Sequence, residues 1–223
     1  MQDFVVVTGM VLKATPIGDY DRRVLLLTKE RGKLSAFAKG ARKQNSRFVA
    51  ATNPFCFGEF KLFEGRTSYN IMEAGITNYF AELRENFEGA YYGMYFLEIA
   101  DYYTRENSED KEMLKLLYQS LRALSAKSLP DRLVRYIFEI KAMVIEGEFP
   151  GIPDYGAGPA SSTKYQQSTV YAINYIAKSS VEKLYTFQVS EPVLEELSEI
   201  AEKCCRRIFD RKFKSLEILE KFC

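Results

Sequence analysis

Up to about residue 80, the apolar positions alternate with polar ones or fall in short Val- and Leu-rich blocks; beyond it they recur every three or four residues. Residues 4–14 (FVVVTGMVLKA) read as a strand, and 15–21 (TPIGDYD) as a turn by their Pro, Gly and Asp content. Residues 22–29 (RRVLLLTK) predict a second strand, joined through Glu30-Arg31-Gly32 to a third at 33–39. That third strand alternates clearly, with Leu34, Ala36 and Ala38 on one side and Lys33, Ser35, Phe37 and Lys39 on the other. Residues 40–54 read as a long polar connection, and 55–63 and 68–78 as two further strands. Five short strands in about 80 residues suit a small closed barrel of the OB type. An SH3-like barrel fits the count equally.

The helical part starts with three amphipathic stretches, 80–104, 109–126 and 130–147, the last opening at Pro130. Their lengths predict an antiparallel bundle. The aromatic run at 91–103 (YYGMYFLEIADYY) has core spacing, although a binding stripe would look similar. Residues 148–163 (EFPGIPDYGAGPASST) form the one Pro/Gly/Ser-rich stretch and read as a loop. Helical pattern resumes at 164–179 and 181–186. A last helix starts near Ser190, with Pro192 in its first turn and an apolar face of Val193, Leu197, Ile200, Cys204 and Ile208. The expected fold class is α+β: a five-stranded OB-type barrel domain over 1–79, then an all-α helical bundle domain over 80–223.

Charge changes this picture more than composition does. The net charge of +1 hides an asymmetry, since residues 1–80 carry twelve Lys/Arg against seven Asp/Glu. Between positions 22 and 47 there are nine basic residues and only Glu30 opposing them. Such a patch attracts polyanions and releases their counterions; its plainer reading is a solvated charged face. The chain has no histidine, which excludes Ser-His-Asp and Cys-His nucleophilic sites and histidine-based zinc sites. Without tryptophan, any stacking platform must use Tyr, Phe or Arg. Cys56, Cys204, Cys205 and Cys223 lack chelating spacing and read as reduced thiols. There is no phosphate-binding glycine loop and no metal-type carboxylate cluster, so the chain reads as a binder, neither an enzyme nor a nuclease. No apolar run approaches the ~20 residues of a membrane span. With no signal-peptide pattern, a cytoplasmic location without membrane contact is expected.

The best candidate site is the third strand and the loop after it. Lys33 and Lys39 flank Phe37, so a base could stack on the ring while the ammonium groups hold phosphates. Equally, Phe37 could pack under a helix. In the loop, Arg42, Lys43 and Arg47 can track a phosphate backbone without reading sequence. Arg22 and Arg23 on the second strand complete the expected DNA-binding set.

The segment 31–48 (RGKLSAFAKGARKQNSRF) resembles the signature of the RecO family. Residues 9–28, 53–65, 181–191 and 213–219 are similar to further family segments, so the likeness spans nearly the whole chain. It implies an N-terminal OB-fold and a helical domain, binding of single- and double-stranded DNA, and annealing of complementary strands. It also implies association with RecR and with the acidic C-terminal tail of single-strand-binding protein, RecA loading in recombinational repair, and a nucleoid-associated location. Many members carry a four-cysteine zinc module where residues 148–163 stand here. That stretch holds no cysteine, so no structural zinc and no cofactor is expected. The competing reading is a protein-interaction scaffold whose barrel binds acidic partners without DNA activity.

Overall fold

The computed structural model describes residues 4–152 and 164–222. Five strands form a closed barrel: β1 (Phe4–Ile17), β2 (Asp21–Thr28), β3 (Gly32–Ala38), β4 (Phe57–Glu64) and β5 (Tyr69–Asn78). Their order around the barrel is β1-β2-β3-β5-β4. All neighbours are antiparallel except β3 and β5, which pair in parallel at Ala36–Tyr69 and Phe37–Asn70. This order, with a short helix α1 (Phe48–Ala51) between β3 and β4, is the OB arrangement and excludes the SH3-like alternative. The connection over 40–54 is therefore not wholly polar loop: Phe48 and Ala51 of α1 are buried, and Phe48 helps close the barrel core.

The strand alternation fills that core. Val7, Val11, Val24, Leu26, Leu34, Ala36, Phe60, Leu62 and Ile71 point inward. β1 is long enough to pair with β4 through Met10 and with β2 from Gly9 onward, and it bends at a bulge between Val11 and Lys13.

The helices are α2 (Ala81–Arg84), α3 (Phe87–Tyr103), α4 (Lys111–Ala126), α5 (Asp131–Ile145), α6 (Gln167–Lys178), α7 (Glu191–Ile208) and α8 (Lys214–Phe222), with a 3-10 turn at Val181–Lys183. The aromatic run lies on α3, and it is largely core. Tyr92, Tyr95 and Phe96 are buried, and Phe96 stacks on Phe138 of α5 with centroids 4.2 Å apart. α8 has no counterpart among the sequence-predicted helices; at nine residues it offers barely two turns of pattern, and it is fastened to α3 by Ser215 Oγ donating to Glu98 at 2.8 Å. Of the expected loop at 148–163, residues 153–163 lie outside the described residues, as does Cys223. No helix among the described residues is long and apolar enough to cross a membrane.

Barrel and helices share one core. Met10, Leu12 and Leu27 turn outward from the barrel into the helical cluster, together with Phe55. Phe57 packs on Tyr118 of α4, centroids 4.6 Å apart. Gly93 of α3 makes room for Phe55, since a Cβ there would lie 3.0 Å from the Phe55 ring and 3.2 Å from Leu121. Phe55 itself is held at φ +76°, a conformation that bulky residues rarely adopt. At the β2–β3 hairpin, Lys33 N donates to Arg105 O at 2.9 Å and Asn107 N donates to Arg31 O at 3.1 Å. Gly32 sits between them at φ +61°, where a Cβ would come within 2.7 Å of Arg105 O, so only glycine fits this docking.

Candidate nucleic-acid interface

The outer face of β2 and β3 carries the predicted set, and the structure sorts it into groups. Arg23 and Phe37 are cross-strand partners. Arg23 Nε donates to Ser35 Oγ at 2.7 Å, which ties the guanidinium to the neighbouring strand. Phe37 is half-buried and belongs to neither apolar cluster, so it does not pack under a helix. Opposite them stands the β4–β5 connection with Arg66, and between the two lies a groove of about 520 Å³. Arg23, Ser35, Phe37, Arg66, Tyr69 and Glu106 line it. One wall is braced by Arg31, whose Nη1 donates to Tyr69 Oη at 3.0 Å and pairs with Glu64 at 3.2 Å. Burial works against the Arg31 charge, but Tyr69 and Glu64 outweigh it and raise its proton affinity above the ordinary value.

The β3–α1 loop adjoins this face and is pinned. Gly40 N donates to Asp21 Oδ1 at 2.7 Å, and Arg42 N to Tyr20 O at 2.8 Å. The Lys43 ammonium lies 5.4 Å from the Tyr20 ring centroid. The exposed cations Lys39, Arg42 and Lys43 thus sit on a braced loop beside an exposed tyrosine.

Four predicted residues have other ties, Arg42 among them, since its Nη1 donates to Gly18 O at 3.2 Å. Arg22 lies on the inward-facing side of β2, and its Nη1 donates to Val49 O, Thr52 Oγ1 and Asn53 Oδ1 at 2.9–3.1 Å, fastening α1 to the barrel end. Lys33 Nζ donates to Asp101 O at 2.6 Å and pairs with Asp101 Oδ1 at 2.8 Å, across the junction to α3. It therefore does not flank Phe37 as a free ammonium. Arg47 donates to Met72 O on β5 and lies over the Phe48 ring. Conversely, sequence reasoning passed over Tyr20, Arg66, Tyr69 and Glu106. The first two lie on the β1–β2 and β4–β5 connections, the loops that flank the binding face of an OB barrel, so that expectation alone could have found them.

A second concavity of about 710 Å³ opens among α3, α5, α7 and α8. Phe209, Phe213 and Leu216 give it an apolar lining. Its rim mixes Arg206, Arg211, Lys212 and Lys221 with Glu202, Asp210, Glu217 and Glu220. At its floor Arg135 pairs with the buried Glu139 at 2.8 Å, and Tyr95 Oη donates to the same carboxylate at 2.7 Å. Burial, and then the Glu139 charge, push the Tyr95 hydroxyl and the Cys205 thiol well above their ordinary pKa values. Neither is ionised near neutrality. No group of three or more His, Cys, Asp or Glu positioned to hold a metal ion occurs among the described residues.

Comparison with known proteins gives matches along almost the whole chain. Residues 1–80 match the family described as recombination protein O N terminal, and residues 84–152 and 152–217 match recombination protein O C terminal. The DNA repair protein RecO of Acetivibrio thermocellus is 26% identical over 243 residues, covering 96% of this chain and 95% of the relative. That of Clostridium novyi is 27% identical, covering 94% and 91%. That of Alkaliphilus metalliredigens is also 27% identical, covering 96% and 97%.

Proposed function

The chain belongs to the RecO family of recombination proteins, whose role is in DNA repair and is not catalytic, and from that premise we propose that it binds single and double strands through the β2–β3 face of its barrel and anneals complementary strands. The observation that carries this reading is the groove beside Phe37, walled by Arg23 and Arg66 and continued by Lys39, Arg42 and Lys43. A ring that can take an unstacked base, next to guanidinium and ammonium groups that can take phosphates, is an arrangement that holds single strands. Neutralising phosphates on two strands at once lowers their repulsion, which is what annealing requires. In the cell, this activity serves the loading of RecA, with RecR as a partner. The acidic tail of single-strand-binding protein docks in the second concavity, with its apolar end against Phe209 and Phe213 and its carboxylates towards Arg211 and Lys221. The competing scaffold reading has no comparable observation behind it.

The test is titration of a labelled single strand across a range of salt, with a strand-annealing assay run with and without single-strand-binding protein and with a tailless form of it. Replacing Lys39, Arg42 and Lys43 together should reduce the salt slope by about 0.7 per phosphate contact, roughly two units if all three touch phosphate, and slow annealing in proportion. An unchanged slope removes this loop from the site. Equal annealing with intact and tailless single-strand-binding protein removes the tail contact.

A further inference from the structure

Two carboxylates line the groove, and their situations differ. Glu64 is paired with Arg31 at 3.2 Å and accepts a hydrogen bond from the Tyr69 hydroxyl at 3.1 Å. Glu106 is exposed, and among the described residues its carboxylate has no hydrogen-bond or ion-pair partner. It comes from the helical part of the chain, on the segment that follows α3. The main-chain bonds from Lys33 N to Arg105 O and from Asn107 N to Arg31 O clamp its two neighbours, and residue 106 forms an antiparallel bridge with Gly32. Its backbone is therefore fixed, and so is the stretch of groove it faces. An unpaired carboxylate in a groove that Arg23 and Arg66 also line is hard to explain if the groove merely tracks phosphates, because it repels every phosphate that enters.

A base edge resolves the conflict. A carboxylate accepts hydrogen bonds from exocyclic amino groups, such as N4 of cytosine. Thymine and uracil carry a carbonyl oxygen at that position, which a carboxylate repels. We propose that Glu106 is a specificity residue of the groove: with Phe37 beneath the base and Arg23 and Arg66 on the flanking phosphates, it selects unpaired bases that present an amino group over thymine or uracil. The inference rests on the reading of this groove as a DNA site. It also makes the site composite, since the barrel supplies the ring and cations while the helical part supplies the carboxylate.

The test compares oligo(dC) with oligo(dU) of equal length, at a pH near 7.5 where cytosine is uncharged. These strands differ in the amino-versus-carbonyl edge and have no methyl group to confuse the comparison. The parent chain should bind oligo(dC) about fivefold more tightly, the value of one such contact at roughly 1 kcal/mol. Glu106→Gln, which can accept or donate at that position, should bring the ratio close to one with the salt slope unaltered. Because the side chain is exposed and the backbone carries the docking, this variant should unfold at the parent's urea midpoint. Equal affinities in the parent, or a ratio that survives Glu106→Gln, overturns the inference and leaves the DNA-binding reading standing. So does an equal gain for both strands in the variant, which would mean that Glu106 faces phosphate. Failure of the parent to bind either strand overturns both.

Discussion

Leu27 and Arg23 lie on the same outer face of β2, yet Leu27 is fully buried in the helical core while Arg23 is exposed at the lip of a groove. β3 repeats the contrast, with Lys33 tied to α3 through Asp101 and Phe37 lining the groove. One sheet surface thus serves as a docking face at one end and as a candidate binding face at the other. The strand period assigns a residue to a face and says nothing about which stretch of that face another element will cover. Coverage here is decided by Gly32 and Gly93, whose missing side chains let the 104–108 segment and α3 come close. The two ends should therefore answer to different perturbations, stability at one and DNA affinity at the other.

The largest effect is expected at the docked end. Phe55 is buried, held at positive φ, and wedged towards Gly93 and Leu121. Phe55→Ala should cost about 3–5 kcal/mol of unfolding free energy, less whatever backbone strain its smaller side chain relieves. Urea unfolding followed by circular dichroism measures this. If barrel and helices share one core, a single transition should move as a whole. Two separated transitions, with only one displaced, would break the comparison by making the ends parts of independent units.

At the open end the effect should fall on binding. Phe37→Ala should weaken single-strand affinity by about 1–3 kcal/mol while leaving the salt slope alone, because stacking is lost and no charge is. Phe37→Leu keeps most of the volume and loses the ring face, so it should weaken binding nearly as much. A leucine variant with full affinity would mean that the side chain fills space and stacks nothing.

These two ends also differed in how far the sequence could be read. The barrel, its five strands and the inward set were legible because Val24, Leu26, Leu34 and Ala36 obey a period of two over short runs, and that pattern has no helical rival. Over 80–147, the single stretch expected at 80–104 is two helices, α2 and α3, whereas α4 and α5 were legible from their spacing. α3 was only half so: it is apolar on almost every side, so its moment is weak and the buried Tyr92 and Phe96 were not distinguishable from the more exposed Phe87. The basic character of residues 22–47 was plain, but charge counts do not show what each head group touches. Arg22 and Lys33 look no different in sequence from Arg23 and Lys39. Their partners, Thr52, Asn53 and Asp101, lie 30 or more positions away. Glu106 was invisible for the same reason, since it reaches the groove only through the docking of a distant segment.

Lys33 gives the smallest effect and the sharpest boundary between the two ends. Its side chain is 17% exposed and that of Asp101 is 35%, so the pair is screened by solvent on one side and its contribution is modest. A double-mutant cycle of Lys33→Met and Asp101→Asn should give a coupling of about 1 kcal/mol in unfolding free energy. Methionine keeps the aliphatic stem and removes only the charge, which isolates the ion pair from packing. If Lys33 belongs wholly to the docked end, Lys33→Met leaves the salt slope of single-strand binding where it was, whereas loss of a phosphate contact would lower it by about 0.7. A lowered slope with no coupling to Asp101 would move the boundary by four residues along β3, placing Lys33 beside Phe37 in the binding face and leaving the main-chain bonds at Arg105 and Asn107 to hold the hairpin alone.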